Sequence, residues 1–235
     1  YHDHVSPTLH GRFRILKAKA ADLIGADVVI WTTTPWTIPG NRAVAYGEEI
    51  DYALVHVEGV AEGSLLAIGD RLLVALPLLP GFAKEAGMGA HSIRRVLKGA
   101  ELAGAIAQHP LRGQGYEFDV PLLAGDFVTT EAGTGFVHIA PGHGEDDFNL
   151  GRAHGLPVPE TVNDDGTFTV QAPGFTGLHV FKAHTAVYEA MKAAGTLAAT
   201  GKLTHSYPHS WRSKKPVIFR ATPQWFIAMD DENAI

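Results

Sequence analysis

The chain has no cysteine among its 235 residues, which excludes disulfides, thiolate metal ligands and a cysteine nucleophile. It has no apolar run of membrane-spanning length and no visible signal peptide, so a soluble cytoplasmic setting is the default expectation. It has no excess of positive charge. The formal net charge is −6, which argues against indiscriminate binding of nucleic acid through a basic surface but leaves room for a local basic patch. G-x-x-x-x-G-K-[ST], G-x-G-x-x-G and G-x-S-x-G are all missing, which removes the common phosphate-loop and serine-hydrolase readings. There is no internal repeat and no low-complexity segment.

What remains is a chain with 46% hydrophobic residues and a mean hydropathy of +0.02. That is enough for a sizeable core in one large domain or two small ones. Glycine (26) and proline (14) suit a turn-rich β architecture better than a helical bundle. The chain begins at Tyr1 and ends in a charged tail, and it reads as a piece of a longer protein.

The stretch from Gly133 to Phe148 reads as a strand, a bend and a helix start. In an extended 134–140, Phe136 and His138 face one way and Val137 and Ile139 the other. Pro141, Gly142 and Gly144 break the strand, and Glu145, Asp146 and Asp147 open a helix running to about Ala153. Gly155 is a C-terminal stop, with Pro157 beyond it. The dipole at a helix start favours carboxylates, so Asp147 is expected to stay ionised near neutral pH. Two readings stay open for this stretch: ordinary capping and turn chemistry, or a site where an imidazole meets a carboxylate. A metal site built on His138 and His143 is a third, but no H-E-x-x-H pattern supports it.

Val28 to Thr34 is the clearest strand, apolar and then hydroxyl-rich, stopped by Pro35. Trp36 to Asn41 forms a rigid turn, since Pro35 and Pro39 fix φ. Thr32, Thr33 and Thr34 are β-branched and suit a strand for that reason alone. At a sheet rim, with Trp36 and Asn41, they also make a small polar pocket with an aromatic wall. Elsewhere, residues 1–11 read as an irregular lead-in, 13–24 as strand or helix, and 43–46 and 51–57 as strands. Residues 65–68 read as a short strand, 71–79 as a helix, 92–97 and 116–123 as strands, and 203–207 as a strand. Val180, Ala183, Val187, Ala190, Met191 and Ala194 mark an amphipathic helix ended by Gly195, a core stripe. Residues 205–220 gather positive charge and aromatics, which suits either phosphate contact and base stacking or a solvated linker.

Three segments together resemble one family. Trp31-Thr32-Thr33-Thr34-Pro35-Trp36-Thr37-Ile38-Pro39-Gly40-Asn41-Arg42-Ala43 is similar to the threonine-rich peptide of the editing domain of bacterial-type isoleucyl-tRNA synthetases. Gly133 to Phe148 resembles that domain's second site segment, and Phe219 to Phe226 the stretch returning to the synthetase body. Valyl and leucyl relatives carry an arginine where Thr34 stands and an acidic residue where Trp36 stands. The adenylate-forming signatures His-Ile-Gly-His and Lys-Met-Ser-Lys-Ser are absent.

The resemblance implies an α+β domain, β-barrel-like with peripheral helices, spanning 1–235 as one unit. Its ends, 1–12 and 210–235, would lead to the synthetase body. It implies hydrolysis of valine mischarged onto tRNA(Ile), or of Val-AMP, with no amino-acid activation; the alternative is a non-catalytic tRNA-binding module. Asp147 would anchor the α-ammonium. His138 would wall the side-chain pocket and help place water. Thr32, Thr33, Thr34 and Asn41 would hydrogen-bond ribose, ester and water, and Trp36 would line the substrate site. The implied partners are the 3′ end of tRNA(Ile) carrying valine and the rest of the synthetase, the piece itself being monomeric and away from membranes. No metal or cofactor is implied for editing, ATP belonging to the synthetic body.

Overall fold

In the computed structural model, residues 1–225 and 227 are described. The chain runs β1 (His2–Lys17), β2 (Asp27–Thr32), β3 (Ala43–Tyr46), β4 (Asp51–Val57), β5 (Arg71–Ala75), α1 (Leu79–Glu85), β6 (His91–Lys98), β7 (Ile106–Gln108), β8 (Asp119–Ala124), β9 (Phe136–Ile139), α2 (Glu145–Ala153), α3 (His184–Ala193) and β10 (Leu197–Tyr207). One sheet has the strand order β6-β4-β5-β2-β1-β7-β8-β3-β9, and β10 pairs with β1 beside this path. Two pairs, β2–β5 and β3–β8, are parallel and the rest antiparallel. This is the α+β class, and the sheet does not close. It does curl: the Ala75 N–H donates to the Thr134 carbonyl at 2.8 Å, laying the approach to β9 along the end of β5. Gly135 makes that approach possible. Its φ is +76°, and an added Cβ would sit 2.3 Å from that of Ala75.

Three sequence expectations are corrected here. Residues 1–11 are not irregular, because β1 begins at His2 and pairs with β10 from His2↔Tyr207 onward. Residues 2–8 have β10 as their one partner strand, so Pro7 sits where a missing N–H costs no ladder bond. Residues 71–79 are not a helix. Arg71–Ala75 form β5 between β2 and β4, buried from Leu72 on, and α1 starts only at Leu79. A strand covered on both faces shows no alternation and looks like any apolar run. Residues 65–68 form no strand; β4 pairs with β5 and β6 instead.

The main core gathers Leu9, Phe13, Val28, Ile30, Val44, Tyr52 and Phe136 from the sheet with Ile38 from the turn after β2 and Val187 and Met191 from α3. Of the expected stripe, Val187 and Met191 are the buried face of α3, Val180 and Ala183 are buried in the 3-10 turn before it, Ala194 is exposed, and Gly195 (φ +69°) follows the helix end. Among the described residues, no helix is long and apolar enough to cross a membrane.

Candidate active site

β2 ends at Thr32, and Pro35–Gly40 winds into a tight 3-10 turn whose six residues are all buried. Pro35, with φ preset, occupies the first position of that turn. The turn is braced from behind by His109, whose Nε2–H donates to the Ile38 carbonyl at 3.1 Å while Nδ1 accepts from the Leu111 N–H. Its ring stacks on Tyr116 with centroids 4.6 Å apart. Burial pushes His109 down to about 3, so it remains a neutral brace.

β9 runs beside β3, with Val44↔His138 and Tyr46↔Phe136 as cross-strand partners. This register turns the His138 ring toward the threonine peptide. The Thr37 hydroxyl donates to the Thr34 carbonyl at 2.8 Å, so its oxygen must accept from His138 Nε2–H at 2.9 Å. Nδ1 is then the acceptor, and it faces Asn41 Nδ2 at 3.5 Å. One tautomer satisfies both sides. Burial, with His143 adding to it, lowers His138 to about 4, so the imidazole is neutral across the physiological range. Thr32 Oγ1 stands 3.1 Å from Thr34 Oγ1 and accepts the Thr34 N–H. A continuous run of hydroxyls thus links Thr32, Thr34 and Thr37 to His138.

Asn41 does not join the rim. It is fully buried and donates to the Ala43 carbonyl at 2.8 Å, and its Oδ1 has no partner among the described residues. The expected pocket forms with different walls: Thr33, Thr34 and Trp36 line a cavity of about 270 Å³ with His4, His184 and Tyr207. His138 lies behind Thr34 through the Thr37 link and does not line this cavity, and neither does Asp147.

Asp147 opens α2 as expected and is still a carboxylate at pH 7, with a narrower margin than a helix start alone provides. Its Oδ2 accepts the Ala140 N–H at 2.8 Å, which favours the carboxylate. Burial outweighs that bond and, with Asp146 adding like charge, lifts Asp147 to about 6. The helix start holds the group in place without offsetting its desolvation. Thr37 and His109 carry no site signal in the sequence, and His143 only that of a candidate metal ligand; their partners lie on other segments, most of them tens of residues or more away, where spacing carries no signal. A larger cavity of about 630 Å³ lies across α2, lined by Glu48, Glu49, Asp126 and Asp146. Four carboxylates repel phosphate, so that cavity does not suit an RNA end. The tail keeps Trp211 exposed, with the Arg212 guanidinium 4.7 Å above its ring. Of the returning stretch, Phe226 lies outside the described residues.

Residues 83–201, half of the chain, match the family model described as leucyl-tRNA synthetase, editing domain. The chain belongs to this family of synthetase editing domains. Over its whole length this editing domain is similar to the isoleucine–tRNA ligase of Gluconobacter oxydans, 51% identical over 249 residues that make up 26% of that protein. The isoleucine–tRNA ligase of Pelagibacter ubique is 45% identical over 98% of the chain and 25% of its own length. The editing domain therefore spans about a quarter of the length of the curated relatives it matches. The crystal structure of GlLeuRS-CP1 shares its fold, with a TM-score of 0.58 at 12% identity, covering 86% of this chain and 100% of that one.

Proposed function

We propose that this editing domain hydrolyses valine from mischarged tRNA(Ile), and Val-AMP by the same chemistry, within an isoleucyl-tRNA synthetase. The observation that carries the reading is the hydroxyl run from Thr32 to His138, with a desolvated Asp147 bonded to Ala140 across the bend that follows His138. Isoleucyl-tRNA synthetases are themselves the standard illustration that one methylene separates isoleucine from valine by only about 1–3 kcal/mol, so a second, smaller site must remove the errors.

In this reading Asp147 pairs with the α-ammonium of the substrate, a charge-assisted contact. Thr33, Thr34 and Trp36 hold the terminal ribose in the cavity, and Thr32 backs them. The hydroxyls orient a water toward the ester carbon. No protein nucleophile is required, because the ester is already activated and positioning supplies most of the acceleration. His138, neutral and fixed behind Thr37 and Thr34, sets how far the hydroxyl wall can yield and so excludes the extra methylene from behind. Its low pKa removes it from proton transfer near pH 7. The exposed Trp211 and Arg212 suit contact with the tRNA strand. The domain needs no metal or cofactor for this step, acts as a monomer in the cytoplasm, and works with the rest of the synthetase.

Deacylation of valyl-tRNA(Ile) against isoleucyl-tRNA(Ile) tests the reading. Rapid release of valine with isoleucine spared is the expected result. Binding of tRNA without release would favour the non-catalytic module, and activity abolished by a strong chelator would favour a metal-dependent hydrolase on His138 and His143.

A further inference from the structure

His143 touches three segments that are distant in sequence. Its ring stands edge-on to Trp36, with centroids 4.9 Å apart and planes at 76°. It also presses on Gly40, where an added Cβ would come within 3.1 Å of its Cδ2. A carbonyl can only accept, so Nδ1–H donates to the Phe219 carbonyl at 3.0 Å. That leaves Nε2 to accept the Thr161 hydroxyl at 2.8 Å. Thr161 is itself buried, so the hydroxyl has little alternative. The ring is thereby bonded at both nitrogens and has one orientation.

The segment around Phe219 is held against the same bend by further bonds. The Ala221 N–H donates to the Gly142 carbonyl at 2.7 Å. Arg220 reaches the Val162 carbonyl and the Asp164 carboxylate. The Tyr207 hydroxyl donates to the Val217 carbonyl at 3.1 Å. Residues 217–221 thus form a strap across the bend that separates His138 from Asp147.

Both ring nitrogens of His143 are taken by Phe219 and Thr161, so it offers no free atom to the reacting centre. Its influence runs through what it touches. Trp36 is a cavity wall, and it packs against the edge of a ring that cannot rotate. The bend sets the distance between the imidazole wall and the carboxylate anchor. We propose that His143 is a positioning residue for deacylation: a three-way clasp that keeps Trp36, the 140–144 bend and the 217–221 strap in register. The kinetic part of its test rests on the deacylation reading; the structural part does not.

The variants are His143→Ala, His143→Asn, which keeps an N–H near the position of Nδ1, and Thr161→Val, which removes the hydroxyl at constant shape. In the full-length chain, His143→Ala is expected to lower kcat on valyl-tRNA about 10- to 100-fold, the scale of a misplacement near 1 Å. KM should change less than about threefold, since the ground-state contacts remain. His143→Asn should restore most of kcat, and Thr161→Val should fall between the two. By hydrogen exchange, the Ala221 amide should open about tenfold faster in His143→Ala, while amides of β4 and β5 keep wild-type protection. Unchanged kcat in His143→Ala, or a rise in exchange spread evenly over β4 and β5, overturns the clasp. Should the wild type release no valine at all, the deacylation reading fails, and the exchange pattern still decides for or against the clasp.

Discussion

Residues 136–140 and 144–148 adjoin one bend from opposite sides, and they hold their polar groups differently. On the strand side, both ring nitrogens of His138 face protein partners, Thr37 and Asn41. On the helix side, Asp147 is half-buried and has the Ala140 N–H against one oxygen. Burial disfavours charge on both, lowering the imidazole to about 4 and raising the carboxylate to about 6. At pH 7 the two outcomes diverge. The imidazole is neutral with a wide margin, and the carboxylate is still charged, with only about a unit in hand. The strand half is thus a fixed shape, and the helix half a charge kept short of solvation. An ammonium arriving at Asp147 would supply what burial has withheld.

The sharpest way to break this contrast is to remove the charge. Asp147→Ala is expected to cut deacylation of valyl-tRNA about 100-fold or more, in line with truncating one side of a desolvated charge pair. Asp147→Asn, similar in shape but uncharged, should be nearly as damaging. Turnover within a few-fold of wild type in either variant would show that Asp147 holds the Ala140 amide and nothing else.

The contrast was half legible in the sequence. The strand, bend and helix from Gly133 to Phe148 follow from local rules: alternation, Gly/Pro breaks and acids at a helix start. The α3 stripe and the strands at 51–57 and 92–97 are equally local. What escaped was set at a distance. The first residues of β1 look polar and irregular, and they become a strand because β10 arrives from the other end of the chain. Thr37 looks like one more turn residue until β9 brings His138 to it. Asp147 is a carboxylate at neutral pH as the helix start implies, but the narrowness of its margin is set by burial, which a local dipole rule does not see.

A pH profile sharpens the comparison further. Asp147 must be deprotonated to hold an ammonium. With its pKa raised to about 6, kcat/KM should fall as pH drops below that value and reach its plateau above pH 7. The bound ammonium favours the carboxylate, so the corresponding step in kcat should lie lower. His138 should contribute no step near neutrality. A profile flat between pH 5 and 8 would separate activity from Asp147.

On the strand side the expected change is one of selectivity. His138→Ala opens the wall and should let isoleucyl-tRNA be deacylated, with about a 10-fold rise or more, the scale a methylene commands in a fitted pocket. Continued full protection of isoleucyl-tRNA would move the size gate to another residue.

The smallest effect isolates the lock from the wall. Thr37→Val keeps the shape and removes the hydroxyl that accepts from His138 Nε2–H. The imidazole stays buried and uncharged, so the charge contrast across the bend survives. What is lost is the reason for a single tautomer. Two hydrogen bonds go, the one from His138 and the one to the Thr34 carbonyl, which should cost about 1–3 kcal/mol in stability, read by urea unfolding. The two ring nitrogens should then give averaged rather than distinct nitrogen-15 shifts, with valyl-tRNA turnover reduced only a few-fold. Distinct shifts in Thr37→Val would mean that Asn41 alone sets the tautomer. The hydroxyl run would then serve the cavity at Thr34 without reaching through to the wall behind it.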